Sequence, residues 1–368
     1  MNRGSGRSSE RMSIRQRARA ALTWEDIDMI PWLVKPNHLA RGYYERILRN
    51  MGMGISVPVS ALKESTPNVE IETKTVGDSR VTTYRTPVGD VQEKFRVGLP
   101  SELGERRSDW RVEPLIKSVQ DYKPVEFIVE DTVYKPDFED IALKDSELGE
   151  DGILFCGAPG TPIMQLIERF MNFEKFAVEM HRNRSRAEEL MNLIDEKNME
   201  AHKIVADSPV PFVNIGDNTD SVLVNPRLFK NYCLPCFQKY SDVYRSKRKV
   251  PMSHMDGRLK SLKTLIGQTG LRAIQSFTPP PVGDLPLKEA REAWGDEIAL
   301  WVNVPGTVFH YGPSELADYV LQLLRDAAPG KGLMLGITES VPPSLRKMAY
   351  SVITKTVSEY GKYPITVD

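Results

Sequence analysis

Two hydrophobic periods alternate along this chain. Short apolar runs are each followed by a longer stretch in which apolar residues recur at helical spacing. We predict buried strands for the short runs and amphipathic helices for the longer stretches. The predicted strands are Ile30–Val34, Gly152–Cys156, Pro211–Ile215, Val250–His254, Leu271–Phe277, Ile298–Val302 and Leu333–Thr338. Alternation of this kind is typical of a parallel sheet covered by helices.

These runs predict a (β/α)8 barrel, although they supply seven strands, one fewer than a closed barrel requires. We expect the missing strand near Phe138–Leu143. We favour the barrel over an open doubly wound sheet because no glycine-rich GxGxxG turn follows a predicted strand. The predicted helices are His38–Met51, Phe173–Ala206 in two segments, Pro226–Lys247, Leu259–Thr269, Ser314–Ala328 and Pro343–Tyr360.

A segment with a period of two interrupts this order near the N-terminus. Val69–Val76 and Ser79–Arg85 are rich in β-branched residues, are joined by Gly-Asp, and are followed by Gly89–Arg96. We predict an antiparallel meander at about residues 66–97, inserted outside the barrel. Residues 1–12 are polar without periodicity and are predicted to be a disordered leader, so that 13–368 form a single barrel domain.

Composition and charge narrow the class of protein. Lys and Arg total 49 against 50 Asp and Glu, and the net charge is -1, so we do not expect nucleic acid as a partner. No apolar run is long enough to cross a bilayer, and the N-terminus lacks the hydrophobic core of an export signal. We expect a cytoplasmic protein that does not enter a membrane; whether it forms a homodimer stays open.

The cysteines are interpreted as packing residues. Cys156, Cys233 and Cys236 are too few for a disulfide framework. The pair at 233 and 236 has the CxxC spacing of zinc and redox motifs, but it falls inside the predicted helix Pro226–Lys247, and no second CxxC completes a zinc site. A metal or redox role is the alternative.

Polar side chains collect where the predicted strands end, which is where the reactive groups of a (β/α)8 barrel lie. His254 and Asp256 leave one strand on the same side. The candidate catalytic residues are His254, Asp217, Asp256 and Glu339. Together they suit acid–base chemistry or a metal site with His254 and Glu339 as ligands. Carboxylates gathered there would repel one another, so either a cation binds or one of them holds its proton.

Each candidate also has a structural interpretation. Asp256 would serve as an N-cap for the helix that follows, Asp217 would form an Asx turn with Asn218, and Glu339 would cap the last helix. The remaining histidines lie in helical or loop contexts without a group of carboxylates at a strand end, and they are interpreted as surface or core residues: His38, His181, His202 and His310.

Several strand-end segments resemble the uroporphyrinogen decarboxylase superfamily. They are Asn214–Asn218, Val250–Gly257, Ser276–Asp284, Trp301–Gly306, Gly336–Pro342 and Glu359–Pro364, and the resemblance, which runs from about Ile14 to the C-terminus, includes Pro31-Trp32 and Arg85–Gly89. It implies a (β/α)8 barrel and one of two chemistries. One is decarboxylation of a tetrapyrrole without a cofactor, and the other is methyl transfer to or from a corrinoid protein.

The stretch after the first strand separates these two branches. The decarboxylases carry Met-Arg-Gln-Ala-Gly-Arg there, and its arginines hold the carboxylates of the substrate. This chain has Leu33–Ala40, which contains no arginine, so the resemblance favours the methyltransferase branch. Zinc-dependent members that activate a thiol use His-x-Cys and a later cysteine. Here His254-x-Asp256 and Glu339 stand in their place.

A zinc ion held by His254 and Glu339 would be a harder Lewis acid, suited to oxygen. We therefore expect an O-demethylase, in which a small aryl methyl ether gives its methyl group to the Co(I) of a cobalamin carried by a separate corrinoid protein. The metal or a protonated carboxylate would stabilise the leaving oxygen. The candidate substrate contacts are Trp32, Phe277 and Trp301 around a ring, with Asn218, Gln275 and Asn303. A cofactor-free decarboxylase and a non-catalytic binding barrel remain the alternatives.

Overall fold

The computed structural model describes residues 11–39, 41–99, 108–339 and 341–366. Within these ranges fourteen strands, numbered in chain order, form a closed barrel and two smaller sheets. The barrel consists of eight parallel strands: β1 (Trp32–Val34), β2 (Met53–Val59), β9 (Gly152–Ala158), β10 (Phe212–Ile215), β11 (Val250–His254), β12 (Ala273–Phe277), β13 (Ala299–Asn303) and β14 (Leu333–Gly336). Each pairs with the next in this order, and β14 pairs with β1 to close the barrel.

The predicted (β/α)8 barrel is confirmed, but the position of its missing strand was wrong. The missing strand is β2, while residues 138–143 lie at the start of a helix, Glu139–Leu148. Gly54 and Pro58 make β2 a weak strand in the sequence. The barrel requires Gly54, because a Cβ there would overlap the Ile14 side chain and lie 3.0 Å from Leu33 Cγ.

Helices surround the barrel. They are α1 (Ile14–Thr23), α2 (Tyr43–Asn50), α3 (Tyr122–Asp131), α4 (Glu139–Leu148), α5 (Pro162–Gln165), α6 (Phe173–Arg182), α7 (Arg184–Asp207), α8 (Pro226–Leu228), α9 (Leu234–Ser246), α10 (Lys263–Ile266), α11 (Leu287–Trp294), α12 (Pro313–Asp326) and α13 (Pro343–Tyr360). A π-helical turn, Leu166–Phe170, continues α5, and another, Phe229–Cys233, joins α8 to α9. The helix predicted over 259–269 is shorter in the structure, where only α10 (Lys263–Ile266) is helical. None of the described helices is long and apolar enough to cross a membrane.

Helix α1 closes the barrel at the end where the strands begin. Its residues Ala18, Ala21 and Leu22 pack against the apolar side chains inside the barrel. Ser13 caps this helix by accepting a hydrogen bond from the backbone N–H of Gln16, and the Gln16 side chain accepts one from Ser13 N in return. The interior is therefore filled at this end, and the opposite end carries the polar residues.

The predicted antiparallel insertion is confirmed and is larger than expected. Its meander contains β4 (Glu70–Val76), β5 (Ser79–Thr86), β6 (Gly89–Leu99) and also β7 (Ser108–Glu113), while β3 (Leu62–Ser65) pairs with β8 (Val133–Pro136) in a separate sheet. The meander packs one face on the barrel domain through buried Val91. Arg111 of β7 donates to the backbone carbonyl oxygens of Glu168 and Met171, so the insertion is tied to the turn that follows α5.

Two further predictions concern the N-terminus and the cysteines. Most of the predicted leader, 1–12, lies outside the described residues, and α1 begins directly after its cap, Ser13. Cys233 and Cys236 lie in the helix as predicted, Cys233 buried and Cys236 partly buried. Burial raises the pKa of the Cys233 thiol well above its ordinary value, which disfavours the reactive thiolate.

Candidate active site

The side chains that point into the barrel change from apolar to polar along the strands. An inner cluster of buried residues fills the barrel and includes Leu33, Met252, Ala273, Trp301 and Met334. Because side chains alternate along a strand, the residues two positions later point to the same side. These residues are Lys35, His254, Gln275, Asn303 and Gly336. A polar layer therefore lies at the carboxyl ends of the strands, where barrel active sites are built.

His254 is held between two partners in this layer. Its Nδ1 lies 2.7 Å from Oε1 of Gln275, which is its neighbour across the β11–β12 pairing. Since that oxygen only accepts, Nδ1 carries the hydrogen and donates it. Nε2 lies 3.2 Å from Oδ2 of Asp256. Burial alone would raise the pKa of Asp256, but the hydrogen bond and charge of His254, with the charge of Lys35, hold this pKa below its ordinary value.

Asp256 is free to pair with His254 because other residues cap the following turn. Asp220 Oδ2 accepts from the backbone N–H of Arg258 at 3.1 Å. Asp284 Oδ1 accepts from the backbone N–H groups of Leu259 and Lys260 at 2.8 and 3.0 Å. The N-cap interpretation of Asp256 was therefore wrong, and both of these capping aspartates lie elsewhere in the sequence.

Glu339 is oriented by Asn303, which is completely buried. Asn303 Nδ2 donates to Oε1 and Oε2 of Glu339 at 3.0 and 2.9 Å and to Oγ1 of Thr278 at 3.0 Å. Asn303 Oδ1 accepts from the backbone N–H of Thr338 at 3.0 Å. Glu339 does not cap α13, whose N-terminus has no side-chain cap. Its carboxylate is thus fixed within the mouth of the barrel.

Lys35 is a residue of this layer that the sequence analysis did not select. It follows Val34, its backbone is extended, and Leu33 pairs with Gly336 at the same level. Burial lowers the pKa of Lys35, and the charges of Asp256 and Glu339 partly offset this effect. The available signal was its position directly after the first barrel strand, in the stretch where the decarboxylases carry their arginines.

Asp217 lies at the same end of the barrel, but its carboxyl is bound by Thr161. Thr161 donates its backbone N–H to Oδ1 at 2.6 Å and its hydroxyl to Oδ2 at 2.8 Å. Burial raises the pKa of Asp217 to about 7; the Thr161 hydrogen bonds oppose this effect, and the charge of Glu168 adds to it. The geometry shows Asp217 joining the loop after β9 to the loop after β10 rather than contacting His254.

Glu168 is a second residue that the sequence analysis missed. Its charge acts on both His254 and Asp217, so this exposed carboxylate lies near the mouth. Arg111 of the insertion holds its backbone carbonyl. Glu168 lies within a π-helical turn rather than at a strand end. Strand-end reasoning therefore offered no signal for it.

The predicted aromatic contacts divide between the two sides of the barrel wall. Trp301 points inward and meets Phe155 edge to face with ring centroids 5.6 Å apart, one layer below Asn303. Trp32 instead points outward and donates from Nε1 to Thr354 Oγ1 of α13 at 3.0 Å. Phe277 packs outward against Trp294 of α11, with ring centroids 5.9 Å apart. Trp301 therefore lies at the bottom of the mouth, whereas Trp32 and Phe277 pack between the barrel strands and the surrounding helices.

A β-bulge explains the direction of Phe277. Gln275 pairs with inward-facing Trp301, but Phe277 pairs with outward-facing Val302, and the register shifts between them. Ser276 at this bulge has a φ of 67°, a strained value for a residue with a side chain. Strict alternation would have placed Phe277 beside Gln275. Of the remaining predicted contacts, Gln275 and Asn303 are buried in the polar layer, and Asn218 is exposed on the loop after β10.

The donor set does not fit the zinc ion suggested by the sequence. In the described part of the chain, no group of three or more His, Cys, Asp or Glu side chains is arranged to hold a metal ion. Zinc sites in proteins use at least three such ligands. His254 is engaged by Gln275 and Asp256, and Glu339 is engaged by Asn303.

Together, the fold and this layer define a (β/α)8-barrel protein with a candidate active site at the carboxyl ends of its strands. A family model described as Uroporphyrinogen decarboxylase (URO-D) matches residues 112–360, which is more than half of the chain. The chain therefore belongs to the uroporphyrinogen decarboxylase family. This confirms the resemblance inferred from its strand-end segments.

Two solved structures are similar to this chain at low sequence identity. A methyltransferase from Methanosarcina mazei is 13% identical with a TM-score of 0.55, and the match covers 95% of this chain and 99% of that one. A chitinase from Flavobacterium johnsoniae is 11% identical with a TM-score of 0.37, covering 62% of this chain and 82% of that one. The first likeness supports the fold over nearly the whole chain. No curated protein matches this chain.

Proposed function

We propose that this protein is a methyltransferase that takes the methyl group of an aryl methyl ether and passes it to the Co(I) of a corrinoid carried by a separate protein. The observation that carries the proposal is the charge of the mouth. Three carboxylates, Asp256, Glu339 and Glu168, act in it, against the positive charges of Lys35 and His254. Because the carboxylates outnumber these cations, the several further carboxylates of a porphyrinogen would be disfavoured there, whereas a neutral ether would not.

The polar layer suits the breaking of a carbon–oxygen bond. The aromatic ring of the ether would lie above Trp301, with its oxygen toward His254. As the methyl carbon is attacked, the electron pair of the C–O bond moves to the oxygen, and the charge of His254, fixed in advance beside that oxygen, stabilises it. Gln275 and Asp256 hold the imidazole of His254 on both sides, so that the ring does not have to reorient. The likeness in fold to a methyltransferase supports the same class of reaction.

The test compares the wild-type protein with His254→Ala and a matched control, His181→Ala, whose side chain is exposed on α6. Each protein is mixed with an aryl methyl ether and reduced cobalamin, and methylcobalamin formation is followed in a single turnover. We expect His254→Ala to lose about a hundredfold or more in rate, the usual cost of losing one group that stabilises a developing oxyanion, with an unchanged Tm. The control should retain the wild-type rate.

Two results would contradict the proposal. The first is demethylation at full rate in the absence of any corrinoid. The second is release of carbon dioxide from a porphyrinogen by the wild-type protein, which would favour the decarboxylase. A large fall in the Tm of His254→Ala together with an unchanged rate would assign His254 to the scaffold instead.

A further inference from the structure

The mouth of the barrel contains a cation supplied by the protein itself. Gathered carboxylates require a cation or a shared proton, and the described residues do not fit a metal ion. Lys35 lies at the carboxyl end of β1 and follows Leu33 on the inward face. The pairing of Leu33 with Gly336 sets it beside the loop that carries Glu339. Its position thus follows from the register of the barrel.

The N–H donors of the Lys35 ammonium have no hydrogen-bond acceptor among the described residues. Asp256 and Glu339 act on it through their charges, but Asp256 is in contact with His254, and Glu339 accepts from Asn303. Among the described residues, no hydrogen bond and no ion pair within 4.0 Å engages the Lys35 ammonium. An ammonium has three N–H donors and no acceptor. A half-buried ammonium in this state can donate to a ligand in the mouth.

We propose that Lys35 is a catalytic residue of this site, and that its ammonium donates a hydrogen bond to the ether oxygen of the substrate and balances the charge that develops there. This inference rests on the proposed function and assigns to Lys35 the task that a metal ion would otherwise perform. The charges of Asp256 and Glu339 act on the ammonium, and neither carboxylate accepts one of its hydrogens.

The bond changes balance without any further reagent. The two electrons of Co(I) form the new bond to the methyl carbon, and the C–O bond breaks with its electron pair retained by the oxygen. The product is a phenolate, whose negative charge lies against the Lys35 ammonium. No oxidant or reductant beyond the reduced corrinoid is consumed.

The test uses Lys35→Met, which removes the charge at similar length, and Lys35→Arg, which keeps it. Lys288→Met, at an exposed position on α11, is the matched control. In single turnovers with reduced cobalamin, we expect Lys35→Met to lose about a hundredfold in rate for a methoxyphenol. The loss should be much smaller for a nitro-substituted ether, whose phenolate leaves readily. Lys35→Arg should recover part of the rate, and treatment with a chelator should leave the wild-type rate unchanged.

A second measurement does not depend on turnover. The absorption spectrum of bound 4-nitrophenol distinguishes phenol from phenolate. We expect the wild-type protein and Lys35→Arg to hold more of it as phenolate than Lys35→Met does at the same pH. Equal spectra for wild type and Lys35→Met would overturn the inference, and so would activity that a chelator removes and zinc restores.

The two proposals fail in distinguishable ways. If the wild-type protein transfers methyl groups and Lys35→Met does so equally fast, the proposed function stands and the role of Lys35 is wrong. If no ether is demethylated but 4-nitrophenolate is bound in a Lys35-dependent way, the role of Lys35 as the cation of the mouth stands and the proposed function is wrong. An equal loss for both ethers together with a lowered Tm would make Lys35 structural.

Discussion

The buried carboxyl of Asp217 links the stability of this protein to pH. Its side chain is 3% exposed, and both of its oxygens accept hydrogen bonds from Thr161. Burial raises its pKa to about 7 from an ordinary value of 3.8. The unfolded chain therefore releases this proton near pH 4, and the folded protein releases it near pH 7. The contribution of Asp217 to the stability of the folded state is therefore fully present at pH values below the pKa in the unfolded chain. It is lost as the pH rises through the pKa in the folded protein.

The size of the effect follows from the two pKa values. Integrated between about pH 5 and about pH 8, the linkage lowers the free energy of unfolding by about 2.5 kcal/mol. Asp217→Asn cannot ionise, and its amide oxygen can still accept from the backbone N–H of Thr161. The variant should therefore lack this fall. The difference in free energy of unfolding, variant minus wild type, should increase by about 2.5 kcal/mol over that range.

The assay is urea unfolding of both proteins at the two pH values, followed by the fluorescence of the five tryptophans. All other titrating groups cancel in the difference between variant and wild type. Asp242→Asn, on the exposed face of α9, is the matched control and should show no pH-dependent difference. If Asp217→Asn differs from wild type equally at both pH values, Asp217 is already ionised in the folded protein at the lower pH, and the reasoning is refuted. If Asp217→Asn loses the methyl-transfer rate and shows no such pH-dependent difference in stability, Asp217 is a catalytic residue, as the sequence suggested.

Two further predictions concern residues on opposite sides of the barrel wall. Asn303→Leu should lower the free energy of unfolding by about 1–3 kcal/mol, because buried groups of Thr338 and Thr278 lose their partner, and should also slow methyl transfer by releasing Glu339. Urea unfolding and single-turnover rates measure the two effects, and an unchanged rate would exclude Glu339 from the site. Trp32→Phe breaks the bond to Thr354 and should lower the Tm while leaving the rate unchanged. A slower rate at an unchanged Tm would place Trp32 in the mouth after all.

The sequence by itself determined the order of strands and helices and the end of the barrel that carries chemistry. Hydrophobic period distinguishes a buried strand from an amphipathic helix, and a polar residue after an apolar run marks a strand end whatever its neighbours are. His254, Gln275, Asn303 and Glu339 were found in this way, and the structure brings them into one layer. Strand β2 was not predicted because Gly54 and Pro58 interrupt its apolar run. The glycine is required by the close approach of the Ile14 side chain of α1, a tertiary contact that the local sequence does not show.

The direction of each side chain was decided by the tertiary structure. The strands of a parallel barrel are buried on both faces, so apolar residues on the inside and the outside look alike in the sequence. Trp32 and Trp301 are both buried, and each lies two residues before the end of its strand. Trp32 nevertheless contacts α13, whereas Trp301 lies at the bottom of the mouth. A bulge at Ser276 reversed the direction expected for Phe277. The pairing of Asp217 with Thr161, and the placing of Lys35 near Asp256 and Glu339, join residues far apart in the chain, and contacts of this kind are fixed when the barrel closes.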